Sequence, residues 1–130
     1  MRIKVRFDKL VRDKIVDQNL EIGGSVDFEK LEGRELEESL LHKLVYEEVP
    51  EIAESDGLEE IADGIDILYD LAAVRGFSRA ELDAAAHAKR QERGGFLLGH
   101  FVYTVEVPID SKLGRLYASD PDKFPEVKDE

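Results

Sequence analysis

Two apolar stripes at helical spacing, separated by a few residues, constrain this chain more than any other feature. Leu36, Leu40, Leu41, Leu44, Val45, Val49 and Ile52 trace the first. Leu58, Ile61, Ile65, Leu68 and Ala72 trace the second, widened by Ala62 and Tyr69. Recurrence at three- and four-residue intervals is the mark of an amphipathic helix. Between the stripes, Asp56-Gly57 reads as a turn, with Asp56 as N-cap and Glu59 completing an acidic version of the capping box. The pattern predicts an antiparallel hairpin of two long helices, about Arg34 to Ala53 and about Leu58 to Val74. Pro50 falls inside the first helix. Its missing N–H and its ring cost a helix interior about 3 kcal/mol, so a kink, or an end and a restart, is expected there.

The flanks are shorter. Leu10, Val11, Ile15 and Val16 predict a helix from Leu10 to about Leu20, broken by Gly23-Gly24-Ser25. Gly76 ends the second long helix, and Ser78-Arg79-Ala80-Glu81 is a capping box opening another, to about Arg93, where Gly94-Gly95 stops it. Phe101, Tyr103, Val105 and Val107 alternate with Val102, Thr104 and Glu106, which predicts a strand over 100–107. The expected fold class is mainly α: a helical bundle around an antiparallel helix hairpin, with a minor C-terminal strand. Residues 1–107 are expected as one domain and 108–130 as a tail with few apolar anchors. One hairpin with two short helices is a thin core, so pairing with a second copy is expected.

Composition excludes several function classes. Thirty acidic residues against 18 basic give a net charge of −12. That balance opposes coating a nucleic acid or docking on an anionic membrane, both of which need clustered Lys and Arg. There is no cysteine for a disulfide, thiolate zinc site or thiol nucleophile. The first residues contain no apolar signal segment, and no apolar run nears the ~20 residues that span a bilayer. A cytoplasmic protein is the expectation.

The acids are concentrated on the hairpin. Glu48 and Glu51 stand three apart, so they project from one side of their helix, and Glu60 and Asp63 repeat that spacing on the next. Across a short turn the two pairs face each other. Two unit charges about 4 Å apart repel by about 4 kcal/mol at an effective dielectric of 20. Such a group therefore keeps some carboxyls protonated or takes up a cation. Oxygen ligands alone suit Mg²⁺ or Mn²⁺ rather than zinc. The alternative is a solvated polar face, since Glu59, Asp63, Asp66 and Asp70 also follow helical spacing.

Two basic motifs stand out against this acidity. Lys9, Arg12 and Lys14 lie near the first helix start, and Lys89, Arg90 and Arg93 lie at a helix end before Gly94-Gly95. Each has two readings: cations that favour a helix terminus, or a phosphate clamp in which Arg offers a fork and glycine lets backbone approach.

In order, Lys-Leu-Val-Arg-Asp-Lys-Ile at 9–15, Glu-Glu-Val-Pro-Glu at 47–51, Glu-Ile-Ala-Asp at 60–63 and Lys-Arg-Gln-Glu-Arg-Gly-Gly-Phe at 89–96 make a pattern. It resembles the phosphoribosyl-ATP pyrophosphohydrolase-like branch of the all-α nucleoside triphosphate pyrophosphohydrolases, which includes the MazG proteins, over roughly residues 7–97. The resemblance implies a helical bundle assembled as a homodimer or a dimer of dimers. It implies that Glu48, Glu51, Glu60 and Asp63 hold Mg²⁺, with Glu48 or Glu51 serving the attacking water. It implies cleavage of a nucleotide's α–β phosphoanhydride to monophosphate and pyrophosphate, with Lys9, Arg12, Lys14, Lys89, Arg90 and Arg93 on the phosphate side. Pro50 and the short interval 52–59 depart from the usual pattern and leave Glu47 and Asp66 as alternative ligands. Three activities fit such a pattern: phosphoribosyl-ATP hydrolysis, house-cleaning of non-standard nucleotides, and a non-catalytic nucleotide-binding or dimerisation module.

Overall fold

The computed structural model describes residues 1–128 of the 130. Its elements are α1 (Lys14–Glu21), α2 (Gly33–Lys43), a π-helical turn (Leu44–Glu48), α3 (Val49–Glu54), α4 (Leu58–Val74), α5 (Arg79–Arg93) and α6 (Lys112–Ser119). The fold is mainly α. Internal contacts divide the chain into two compact units, Met1–Arg93 and one that begins at Gly94. The division thus falls at the double-glycine stop rather than at residue 107.

The expected hairpin is the centre of the first unit. α2, the π turn and α3 run continuously and pack against α4. Pro50 is the second residue of α3, directly after the π turn. Proline lacks the N–H and crowds the carbonyl four residues back. A widened turn just before it accommodates both defects, and the helix continues through it rather than ending and restarting. A π turn holds about one residue more than an α turn, so it rotates the succeeding helix by about 100°.

The face of α4 that points inward differs from expectation. Gly64, Ile67, Leu71 and Ala72 are buried with Leu40 of α2, whereas Leu58, Ile61, Ile65 and Leu68 are 44–80% exposed. Gly64 is the reason. A Cβ there would stand 3.3 Å from Ile52 Cδ1, so the missing side chain lets α3 approach closely on that side. The helix therefore has two apolar stripes, and a single chain covers only one.

Termini follow local chemistry, with two revisions. Ser78 and Glu81 form the expected reciprocal cap: Glu81 N–H donates to Ser78 Oγ (3.1 Å) and Ser78 N–H to Glu81 Oε1 (3.4 Å). Gly76 and Gly94 take positive φ at the two helix ends. α1 starts at Lys14 rather than Leu10, so Lys9 and Arg12 precede it. The N-cap of α4 is Gly57, not Asp56, and no side chain caps it.

The second unit also departs from expectation. Residues 100–107 form no strand, and no strand exists among the described residues. Alternation supplies a face but not a neighbour, and an extended segment without a paired strand has no ladder to join. Phe96, Leu97, Leu98, Phe101 and Tyr103 are exposed. The expected tail instead contains α6, whose N-cap Ser111 accepts from Gly114 N–H at 3.0 Å. Tyr117 of α6 packs on Phe124 with ring centroids 4.8 Å apart.

Candidate metal centre

The π turn determines the character of the site. In an uninterrupted helix Glu48 would lie beside or opposite the apolar stripe. In the structure it is 5% exposed, the one buried charged residue of the described chain. The Glu48, Glu51 and Asp63 carboxylates each offer an oxygen, all within 4.8 Å of one another. Glu48 closes the π turn, Glu51 follows one turn later on α3, and Asp63 comes from α4 across the hairpin.

Glu48 is incompletely compensated. Lys43 Nζ stands 3.5 Å from its Oε1 and 3.2 Å from Glu47 Oε1. The other oxygen, Oε2, is buried without a hydrogen-bond partner. Burial pushes the Glu48 carboxyl above the usual range, and the negative charges of Glu51 and Asp63 push it the same way, while Lys43 pulls it back. A lone-pair-bearing atom without a partner in a desolvated place is costly. A cation among the three carboxylates would satisfy it. The donors are all hard oxygens, which fits Mg²⁺ or Mn²⁺ and not a thiolate- or imidazole-seeking metal.

The fourth expected ligand is not among the three. Glu60 lies in the first turn of α4, folded back so far that a Cβ added at Gly57 would collide with its carboxylate. The first turn of a helix is a favourable place for negative charge. The two alternatives are also engaged. Glu47 meets Lys43 and, at 3.9 Å, Lys9. Asp66 accepts from Arg12 at 2.9 Å, and the same guanidinium donates to Asp63 Oδ1 at 2.5 Å.

The basic residues thus divide into two groups. Lys9 and Arg12 are already paired with acids of the hairpin. Lys14 opens α1, and Lys89, Arg90 and Arg93 occupy the end of α5; all four are exposed and without an ion-pair partner among the described residues. A largely apolar groove of about 410 Å³ between α4 and α5, lined by Ile65, Leu68, Tyr69, Leu82, Asp83 and Ala86 among others, includes none of Glu48, Glu51 and Asp63. Two contributors are not apparent from sequence, Lys43 as counter-charge and Gly64 as the point of close approach. Pro50 inside a helical pattern is the available sign that the helix has to adjust.

No protein-family model, curated protein or solved structure matches the chain.

Proposed function

We propose that the chain is a Mg²⁺-dependent nucleotide pyrophosphohydrolase, of the all-α type its motifs resemble. It would cleave the α–β phosphoanhydride of a nucleoside triphosphate or related nucleotide to monophosphate and pyrophosphate. The supporting observation is the unpartnered, buried Glu48 Oε2 beside Glu51 and Asp63. Charge is concentrated there at a cost that folding alone does not need, which is how functional sites commonly differ from solvated acidic faces.

Glu48, Glu51 and Asp63 would hold the ion, with Mn²⁺ as the nearest substitute. When bound, it supplies positive charge toward phosphate oxygens and Lewis acidity toward water. Glu48, being buried, holds its place. Glu51, the exposed member of the three, would accept a proton from the attacking water. Lys14, Lys89, Arg90 and Arg93 remain free to offset phosphate charge. The acidic surface disfavours bare polyphosphate, so the substrate is the Mg²⁺-bound nucleotide. The cytoplasm, rich in such nucleotides, would be its compartment.

A second copy belongs to the same reading. Leu58, Ile61, Ile65, Leu68 and Ala72 recur at alternating intervals of three and four, the spacing of a helix–helix seam, and four of the five are exposed. No helix among the described residues is long and apolar enough to cross a membrane. A homodimer, or a dimer of dimers, would bury that stripe; light scattering should show an oligomer that Ile61→Glu with Ile65→Glu converts to monomer.

Pyrophosphate release from canonical and modified nucleoside triphosphates and from phosphoribosyl-ATP, with Mg²⁺ or Mn²⁺, tests the activity. Glu51→Ala and Asp63→Ala should abolish release while the helical circular-dichroism signal persists. Turnover retained in both variants would overturn the assignment.

A further inference from the structure

The segment leading into α1 is fastened to the acidic junction by charge. Residues 1–13 contain no helix or strand. The chain turns at Asp8, the one non-glycine residue with positive φ (45°) among the described residues, directly before Lys9. Lys9 Nζ then stands 3.9 Å from Glu47, and Arg12 forks onto Asp63 (2.5 Å) and Asp66 (2.9 Å). Asp63 also belongs to the group of three carboxylates, and within that group Glu48 keeps a buried oxygen with no partner. The junction thus has two demands for positive charge. One, at Asp63, is met by the chain itself; the other, at Glu48, is met only in part, by Lys43 beside Oε1, and Oε2 has no partner.

We propose that residues 8–13 are a charge-held strap, and that Arg12 and a divalent cation compete for the Asp63 carboxylate. The proposal rests on Glu48, Glu51 and Asp63 being a cation site. Before a cation binds, the guanidinium neutralises Asp63 and limits its repulsion of Glu48. An entering cation supplies that charge to all three carboxylates at once, and Arg12 is released with the strap.

The Arg12 side chain is 58% exposed and that of Asp63 39%, so this ion pair is screened by salt and easily exchanged. A competitor suited to reversible regulation needs that weakness. Coupling is reciprocal: if the cation loosens the strap, removing the strap's charge must tighten the cation. Arginine's planar fork reaches Asp63 and Asp66 together, which a lysine ammonium does less well.

The test is a calorimetric Mn²⁺ titration of the full chain and of Arg12→Ala, Arg12→Lys and Glu51→Gln at low salt. A parallel measurement is the rate of cleavage after Lys9 by a lysine-specific protease, with and without saturating Mn²⁺. Arg12→Ala should bind Mn²⁺ roughly two- to fivefold tighter, Arg12→Lys should fall between it and the parent, and Glu51→Gln should bind more weakly. Mn²⁺ should speed cleavage after Lys9 in the parent, and not in Glu51→Gln at the same concentration. Saturable binding in the parent without tightening in Arg12→Ala, or with slower cleavage, overturns the strap and leaves the site standing. No saturable binding in the parent overturns both.

Discussion

The hairpin junction and the far end of α5 are both dense in charge, and the structure treats them differently. At the junction, Glu48, Glu51 and Asp63 converge from separate segments, one carboxylate is buried and one of its oxygens lacks a partner. At the end of α5, Lys89, Arg90 and Arg93 lie within a turn or so of one another on one helix, all exposed. The second arrangement costs little, because cations near a helix end complement the dipole and are hydrated, which offsets their weak mutual repulsion. The first costs desolvation and repulsion, so it persists only if something else repays it. Charge brought together by packing is therefore informative about chemistry in a way that charge merely adjacent in sequence is not.

The largest effects should come from removing the junction's acids. Glu51→Ala or Asp63→Ala should weaken Mn²⁺ binding by more than about tenfold, read by calorimetry, since even residues that only support metal ligands are worth that much. Lys89→Ala with Arg90→Ala should leave Mn²⁺ affinity unchanged. Equal losses in both sets would erase the distinction between the two regions. Next comes the packing that creates the convergence. Gly64→Leu places a side chain where Ile52 Cδ1 already stands 3.3 Å from a modest Cβ. It should cost about 1–3 kcal/mol in denaturant unfolding and weaken Mn²⁺ binding together, because α3 must move off α4.

Much of this is legible in the chain. The extent of α4, the Ser78–Glu81 cap and the glycine stops are local matters, decided by residues a few positions apart, and they appear as the patterns imply. The acid pairs on facing helices are also visible as spacing. Which acid is buried is not, because a π turn before Pro50 shifts the register that spacing arguments assume constant. The choice between the two stripes of α4 depends on Gly64, whose contribution is an absence of side chain rather than a hydrophobic one. The engagement of Arg12 with Asp63 spans 51 residues of sequence, and nothing local announces it. The segment 100–107 shows the converse failure: its alternation is real, but a strand is a property of a pair.

A smaller effect is the pH dependence that Glu48 imposes on the junction. Its folded-state pKa lies above the ordinary glutamate value, chiefly through burial. Stability from a group of that sign is fully present below the ordinary value and is lost as pH rises through the raised one. Denaturant midpoints measured in chelator should therefore fall as pH climbs through that window, more in the parent than in Glu48→Gln. Mn²⁺ affinity should change the opposite way, rising with pH as the proton leaves the oxygens the ion needs. No difference between parent and Glu48→Gln would return the junction to the same standing as the α5 end.

The smallest effects belong to that end. Arg93→Ala removes one cation from the last turn of α5, worth about 0.3–1 kcal/mol at low ionic strength and less in salt. If the three basic residues serve only the helix dipole, the double variant Lys89→Ala with Arg90→Ala should cost a similar small amount in thermal unfolding and leave turnover untouched. If they meet phosphate, KM for a Mg²⁺-nucleotide should rise while kcat holds, the signature of binding lost equally from ground and transition states. A fall in kcat at constant KM would be a third outcome, placing them against charge that develops during cleavage. Only in the last two outcomes would the exposed cluster act together with the buried one.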